Sequence, residues 1–111
     1  FLLRADLPRN RVVAFYDTVN GLLPHGEVIM DLGCGRILAG LEEVGDAEWK
    51  QLCRQAGRCQ GHVLMEKAPA EFKQRHDVFG RKQSAWQVIQ RVKSALDPGG
   101  IFAPGRLPGR V

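Results

Sequence analysis

The sequence has no long hydrophobic run, few aromatic residues and a small, odd number of cysteines. No apolar stretch reaches the roughly 20 residues that a transmembrane helix needs, and the first residues lack the pattern of a signal peptide. Three cysteines without paired metal-ligand spacing predict reduced, mostly buried thiols in a reducing compartment rather than a disulfide framework. We therefore expect a cytoplasmic protein with no transmembrane segment.

Basic residues give the chain a formal net charge of +4, but they are scattered rather than gathered in one block. No basic run alternates with aromatic residues, so nucleic-acid binding is not expected. None of His25, His62 and His76 has a second ligand at metal-binding spacing, and no metal site is predicted.

Hydrophobic spacing predicts four strands and two helices within the first 68 residues. At 111 residues with 44% hydrophobic side chains, the chain has room for one small domain with one core. Period-two alternation predicts strands over residues 1–7, 27–32, 36–41 and 62–68, and helical spacing predicts one helix from Asn10 to Pro24 and another from Asp46, closed by Gly57 or Gly61. The order strand, helix, strand, strand, helix, strand is typical of an α+β ferredoxin-like sandwich, in which both helices cover one face of an antiparallel sheet.

This arrangement leaves the opposite sheet face bare. Alternation directs the apolar side chains towards the helices and ionisable ones towards the open face. The residues expected towards the helices are Phe1, Leu3, Val28, Met30, Val63 and Met65, and those expected on the open face are Arg4, Asp6, Glu27, Asp31, His62 and Glu66. Arg4 and Glu66 lie on strands expected to be neighbours, where they form either a simple cross-strand ion pair or an anion-binding arginine oriented by its carboxylate.

The last 28 residues predict an additional helix and an extended tail. After a loop over residues 71–83, Ser84 and Gln87 form a capping box, and the apolar stripe Ala85, Ile89, Val92 and Leu96 follows helical spacing. Asp97-Pro98-Gly99-Gly100 ends the helix. We divide the chain into a ferredoxin-like subdomain, residues 1–83, and a C-terminal helix and tail, residues 84–111, that need a partner surface.

The run VIMDLGCG at residues 28–35 resembles the first motif of S-adenosylmethionine methyltransferases, in which a strand ends in a glycine-rich turn. That motif needs a helix directly after the turn and a parallel sheet. Residues 36–41 read as a returning strand instead, so a hairpin turn is the better interpretation of Gly33 and Gly35.

The run RVKSALDPGGIFAPGR at residues 91–106 resembles the carboxy-terminal signature of FAD-linked oxidases of the vanillyl-alcohol oxidase type. That signature has a lysine-bearing helix, Asp-Pro, a hydrophobic pair and Asn-Pro-Gly-Arg or Lys. Residues 3–8 (LRADLP), 31–38 (DLGCGRIL) and 61–64 (GHVL) resemble the cap domain of the FAD-binding subunit of glycolate oxidase within this family. Ala103 replaces the usual Asn, and the His-rich metal-associated motif of the related catalytic dehydrogenase subunits is absent, which favours the auxiliary subunit.

The resemblance implies a C-terminal fragment of an FAD-dependent oxidoreductase that acts on a 2-hydroxy acid such as glycolate. An FAD-binding domain would precede Phe1, and the fragment would be inactive and free of FAD by itself. The resemblance also implies partnership with a catalytic flavoprotein subunit and an iron–sulfur subunit, and through them association with a membrane. An uncovered sheet face favours self-association once the flavin domain is removed.

The resemblance also suggests roles for individual residues. Arg4 or Arg36 would bind the substrate carboxylate, with His62 or Glu66 as proton acceptor. The turn Ala103, Pro104, Gly105 and Arg106 would contact the flavin-binding domain near the cofactor. The competing hypothesis is a stand-alone ferredoxin-like module whose open sheet face binds a small ligand or a second copy of itself. The residues before Phe1 distinguish the two hypotheses, since a start codon there supports the module.

Overall fold

The structure, a computed structural model, describes residues 1–80 and 85–110. The first two-thirds of the chain alternate strands and helices. They form β1 (Leu2–Asp6), α1 (Val12–Leu22), β2 (Glu27–Asp31), β3 (Arg36–Gly40), α2 (Asp46–Arg58) and β4 (His62–Lys67). Two further helices follow, α3 (Ala70–Arg75) and α4 (Trp86–Leu96), and short 3₁₀ turns occur at Arg9–Arg11 and Pro108–Arg110.

The four strands form one antiparallel sheet in the order β2-β3-β1-β4. In this order β1 is an interior strand that pairs with β3 on one side and with β4 on the other. Strand order, strand direction and the positions of the two helices confirm the predicted α+β ferredoxin-like fold.

The core lies between the sheet and the helices α1 and α2. In β1, β3 and β4 alternate residues point towards these helices and are buried (Leu3, Ala5, Ile37, Ala39, Val63 and Met65), which confirms the predicted alternation for these strands. Val28 is only half-buried and Met30 is exposed, because β2 is an edge strand that the helices cover incompletely. The fully or nearly fully buried side chains of the core include Leu3, Ala5, Phe15, Val19, Ile37, Ala39, Trp49, Leu52, Ala56, Val63 and Met65.

The carboxyl end of α2 is a Schellman motif whose left-handed residue is Gln60, with φ of 57°. The Gly61 N–H donates to the Ala56 carbonyl at 2.8 Å, and the Gln60 N–H donates to the Gly57 carbonyl at 3.1 Å. Neither Gly57 nor Gly61, the closing residues expected from the sequence, occupies this left-handed position, so that prediction was wrong. Gly61 is needed for another reason, since a Cβ there would lie 2.6 Å from the Asp6 carbonyl oxygen.

The glycine-rich turn joins β2 to β3 as a hairpin over residues 32–35. The Asp31 carboxylate accepts hydrogen bonds from the N–H groups of Gly33 (2.9 Å) and Cys34 (3.2 Å). Gly35 has φ of 77°, and a Cβ there would meet the Leu7 carbonyl oxygen at 2.1 Å. Because an antiparallel strand rather than a helix follows this turn, the methyltransferase interpretation does not hold.

Three local predictions need correction or fall outside the described residues. Asn10 does not cap α1, because it lies inside the 3₁₀ turn and α1 begins at Val12. The predicted loop over residues 71–83 contains most of α3, a helix too short to show periodicity. Ser84 of the predicted capping box lies outside the described residues, and α4 begins at Trp86.

The C-terminal helix α4 adds no residue to the main core. Trp86 and Asp97 are buried, but most apolar side chains of α4 and the tail face solvent. The predicted apolar stripe is therefore exposed towards its end, at Val92 and Leu96. The tail returns to the subdomain through the Gly109 N–H, which donates to the Asp77 carboxylate at 2.9 Å. The proposed division at residue 83 stays a prediction.

Candidate functional site

The open sheet face carries one ionic row and one largely apolar row. The strand registers align Asp31, Arg36, Asp6 and His62 across the four strands. The adjacent row aligns Ile29, Leu38, Arg4 and Leu64 in the same strand order. The ionisable face expected from alternation is therefore present, with an apolar strip beside it.

Asp6 links the ionic side chains of this face. Its Oδ1 accepts a hydrogen bond from Arg36 Nε at 2.6 Å, and its Oδ2 lies 3.5 Å from His62 Nε2. Both contacts run between neighbouring strands, because β1 lies between β3 and β4. The hydrogen bond that Arg36 donates to the Asp6 carboxylate raises the pKa of Arg36, so this guanidinium stays charged.

Arg4 is committed to carboxylates of its own sheet. Its Nη1 donates to Glu66 Oε1 at 3.0 Å, which is the cross-strand ion pair considered from the sequence. Its Nε lies 3.0 Å from Asp6 Oδ2, but the N–H is not aimed at that oxygen and has no hydrogen-bond partner among the described residues. We treat this second contact as an electrostatic attraction only.

Arg36 and His62 are the more available groups of the network. Each side chain is 47% exposed, whereas Arg4 and Glu66 are 31% and 32% exposed. Among the described residues, no hydrogen-bond acceptor contacts the two Nη atoms of Arg36. Asp6 thus holds the guanidinium by its Nε while the end that forms bidentate carboxylate bonds faces solvent.

Four of the predicted site residues lie on this one face, and four do not join them. Arg4, Arg36, His62 and Glu66 are connected through Asp6. The turn from Ala103 to Arg106 is exposed, and within the described residues no hydrogen bond or ion pair connects it to the network. Its position near a cofactor stays a prediction.

Asp97 fixes the turn that precedes this exposed segment. Its carboxylate accepts hydrogen bonds from Lys93 Nζ and from the N–H groups of Ile101 and Phe102, both at 2.9 Å. Lys93 Nζ also donates to the Phe102 carbonyl. The Lys93 ammonium and these N–H donors lower the pKa of Asp97 to about 2, so it is ionised at neutral pH. Asp97 therefore has a structural role in this turn.

Asp6 is the residue of the candidate site that sequence reasoning missed. Alternation assigned it to the open face, but nothing in the sequence distinguished it from the other carboxylates there. Its importance comes from its position on an interior strand directly opposite Arg36 and His62. The strand order expected for a ferredoxin-like fold could have identified Asp6, if each residue of β1 had been aligned with its neighbours on β3 and β4.

The cysteines do not form a reactive site. All three are free, and Cys34 is exposed, which contradicts its predicted burial because it lies at the tip of the β2–β3 turn. The hydrogen bond to the Asp31 carboxylate raises the pKa of the Cys34 thiol. A raised pKa disfavours the nucleophilic thiolate.

Residues 1–80 and 85–110 contain no group of three or more His, Cys, Asp or Glu side chains arranged to hold a metal ion. No helix in the same ranges is long and apolar enough to cross a membrane.

The chain was compared with known protein families, curated proteins and solved structures, and none of the three comparisons found a match.

Proposed function

We propose that this chain is the cap portion of an FAD-dependent oxidoreductase that oxidises a 2-hydroxy acid such as glycolate. The observation that carries this proposal is the open sheet face, which no helix of the described residues covers and which bears an ionic network beside an apolar strip. In the proposal this face lies over the flavin, which a domain upstream of Phe1 holds.

The residues of the open face fit one side of a flavin ring. Ile29, Leu38 and Leu64 offer apolar contact to a flat ring system, and Arg36 offers positive charge at its polar edge. The turn at Gly33 and Gly35 is not a dinucleotide site, because it joins antiparallel strands and lacks a following helix. The proposal therefore assigns the dinucleotide to the upstream domain. When bound, FAD supplies the hydride acceptor.

Arg36 is the residue that would bind the substrate carboxylate. Its Nη atoms are free to form two parallel hydrogen bonds, and the Asp6 contact restricts the rotation of the guanidinium. Arg4 is less suitable, since Glu66 already occupies its Nη1. Arg4 would instead position Glu66 and keep the network intact.

His62 is the better candidate for the proton acceptor. A general base must reach the substrate hydroxyl within hydrogen-bond distance, and the imidazole is half-exposed at the end of the ionic row. Glu66 accepts the Arg4 hydrogen bond at 3.0 Å and would lose that contact on turning to a substrate. In this assignment Asp6 positions both Arg36 and His62.

Steady-state kinetics of the whole flavin-loaded protein test this proposal with Arg36→Gln, His62→Asn and the control Arg11→Gln. Arg36→Gln should raise the KM for the 2-hydroxy acid about tenfold or more, because a bidentate charged hydrogen bond is lost. His62→Asn should lower kcat about 100-fold with a smaller effect on KM. Arg11 is exposed in the 3₁₀ turn and makes no ion pair with a described residue, so Arg11→Gln should leave both constants unchanged. Equal effects of Arg36→Gln and Arg11→Gln would exclude Arg36 from the site.

The partners follow from the same proposal. An upstream FAD-binding domain covers the open face, and a catalytic flavoprotein subunit and an iron–sulfur subunit complete the assembly. The isolated chain would be inactive, because it contributes only the cap.

A stand-alone binding module is the second candidate, and two observations favour it. The tail bonds to the chain's own Asp77, and the Arg4–Glu66 pair is satisfied without an outside partner. The residues that precede Phe1 in the natural protein decide between the candidates. A glycine-rich FAD-binding domain there supports the cap, and a start codon at that point supports the module.

A further inference from the structure

A groove of about 710 Å³ lies on the helix side of the molecule, away from the open sheet face. It runs between α2 and the segment that follows α3. Its size is in the range of small-molecule sites. The lining residues that matter for its chemistry are Lys50, Arg54, Arg58, Arg75, Asp77 and, on the floor, Trp49.

Three cations of the groove form a stripe along α2. Lys50, Arg54 and Arg58 are four residues apart and therefore share one helix face over about 12 Å. All three are exposed, and none forms an ion pair with a residue that the structure describes. Neighbouring like charges without carboxylate partners repel one another, which destabilises the free helix slightly and favours binding of an anion.

Arg75 adds a fourth cation from the opposite wall. One of its Nη atoms lies 3.5 Å from the Asp46 carboxylate, which also contacts His76 Nε2 at 2.7 Å. The only carboxylate among the described lining residues is Asp77, against four cationic side chains. The N–H groups of Phe79 and Gly109 already donate to the Asp77 carboxylate. The groove therefore has an excess of positive charge.

The groove floor is uncharged and closed. Trp49 is 3% exposed and packs edge-on against Phe72 at 5.8 Å between ring centroids. Burial raises the pKa of the neighbouring Cys53 thiol to about 12, so no thiolate offsets the cations at neutral pH. Trp49 is covered and the His76 side chain is only 11% exposed, so no described lining residue offers an exposed ring on which a nucleic-acid base could stack.

We propose that this groove binds a small ligand with two or more phosphate groups. A single phosphate cannot reach all four cations when three of them extend over about 12 Å of helix. A chain of phosphates can, and arginine forms bidentate hydrogen bonds with phosphate oxygens. The site lies on the helix side of the sheet and uses no residue of the open face proposed to lie over the flavin, so the two proposals stand or fall separately.

Titration calorimetry of the 111-residue chain with sodium tripolyphosphate tests the site at fixed ionic strength, because exposed charges are screened by salt. The wild-type chain should bind one equivalent. Arg54→Gln and Arg58→Gln should each weaken binding about tenfold, the loss expected for one charged hydrogen bond. Arg11→Gln removes the same charge outside the groove and should change the dissociation constant less than about twofold.

Circular dichroism should show unchanged thermal unfolding for all three variants, since each side chain is exposed. Equal weakening by all three variants would show attraction to net charge only and would overturn the proposal. Absence of binding would overturn it as well. An eight-nucleotide single-stranded DNA that bound more tightly than tripolyphosphate at the same ionic strength would replace it with a nucleic-acid site.

Discussion

The number of contacts that a charged residue makes on the open face depends on whether its strand is interior or at the edge of the sheet. Asp6 is 23% exposed and contacts Arg36 and His62 from an interior strand, whereas Glu66 on the edge strand forms an ion pair with Arg4 alone among the described residues. A charged hydrogen bond that is partly shielded from water contributes more than a fully solvated ion pair. The hydrogen bond to Asp6 therefore restricts the side-chain rotation of Arg36 more than a fully solvated ion pair on a helix surface would.

Gln60 offers a prediction about stability. A residue other than glycine at φ of 57° is strained, so Gln60→Gly should raise the free energy of unfolding by about 1 kcal/mol. Urea unfolding followed by circular dichroism measures this change. Gly61→Ala is the matched control and should lower stability by about 1–3 kcal/mol, because its Cβ would collide with the Asp6 carbonyl. A loss of stability in Gln60→Gly would contradict the assigned helix end.

Asp97 offers a prediction about pH. Its folded-state pKa of about 2 lies below the ordinary value of 3.8, so its stabilisation of the turn is fully present above that ordinary value. The stabilisation should disappear as the pH falls from about 4 to about 2. The Asp97 carboxyl resonance and the Ile101 amide resonance in NMR spectra should report this titration together. Lys93→Met should move the midpoint upwards, and an unchanged midpoint in that variant would refute the role of Lys93.

At the scale of elements, the short helix α3 anchors one end of the core. Phe72 is 2% exposed, and its ring contacts Phe1 at 5.2 Å and Trp49 at 5.8 Å between centroids. Phe72→Ala should lower the free energy of unfolding by about 3 kcal/mol, because it leaves a cavity among these rings. Urea unfolding gives the value. Leu96→Ala on α4 is the control, and its 79% exposed side chain predicts a change below about 0.5 kcal/mol. Equal losses in the two variants would contradict this difference between α3 and α4.

The elements with strong periodicity could be predicted from the sequence. The strands and the two core helices were found because alternation and helical spacing extend over five or more residues. The helix α3 was missed because six residues span less than two turns and display one apolar anchor. Asn10 was taken as a cap from its side-chain type, yet the chain makes a 3₁₀ turn there before α1 begins.

The site could be predicted only in part. Alternation was enough to place Arg4, His62 and Glu66 on one face, whereas Arg36 was suggested only by the family resemblance. The contacts of all four residues depend on strand order and register, which are tertiary properties. The basic stripe on α2 was present in the sequence at four-residue spacing. It was not recognised, because the groove that gives it meaning forms only when the segment after α3 packs beside α2.

At the scale of the whole molecule, the sheet separates two surfaces of different chemistry. One is the open face with its paired charges and apolar strip, and the other is the helix side with its unpaired cations. An exposed apolar strip beside paired charges favours contact with another protein surface, while unpaired cations favour a soluble anion. Self-association of the isolated chain through the open face stays a prediction of this arrangement.

Hydroxyl-radical footprinting of the flavin-loaded natural protein, compared with the 111-residue chain, tests the coverage of the open face most directly. Ile29 on this face is 69% exposed in the chain, and Val13 on the outer side of α1 is 55% exposed. We predict that oxidation of Ile29, Leu38 and Leu64 falls strongly in the whole protein while oxidation of Val13 stays the same. Equal oxidation of the open-face side chains in both samples, or a natural protein that binds no flavin, would contradict the cap.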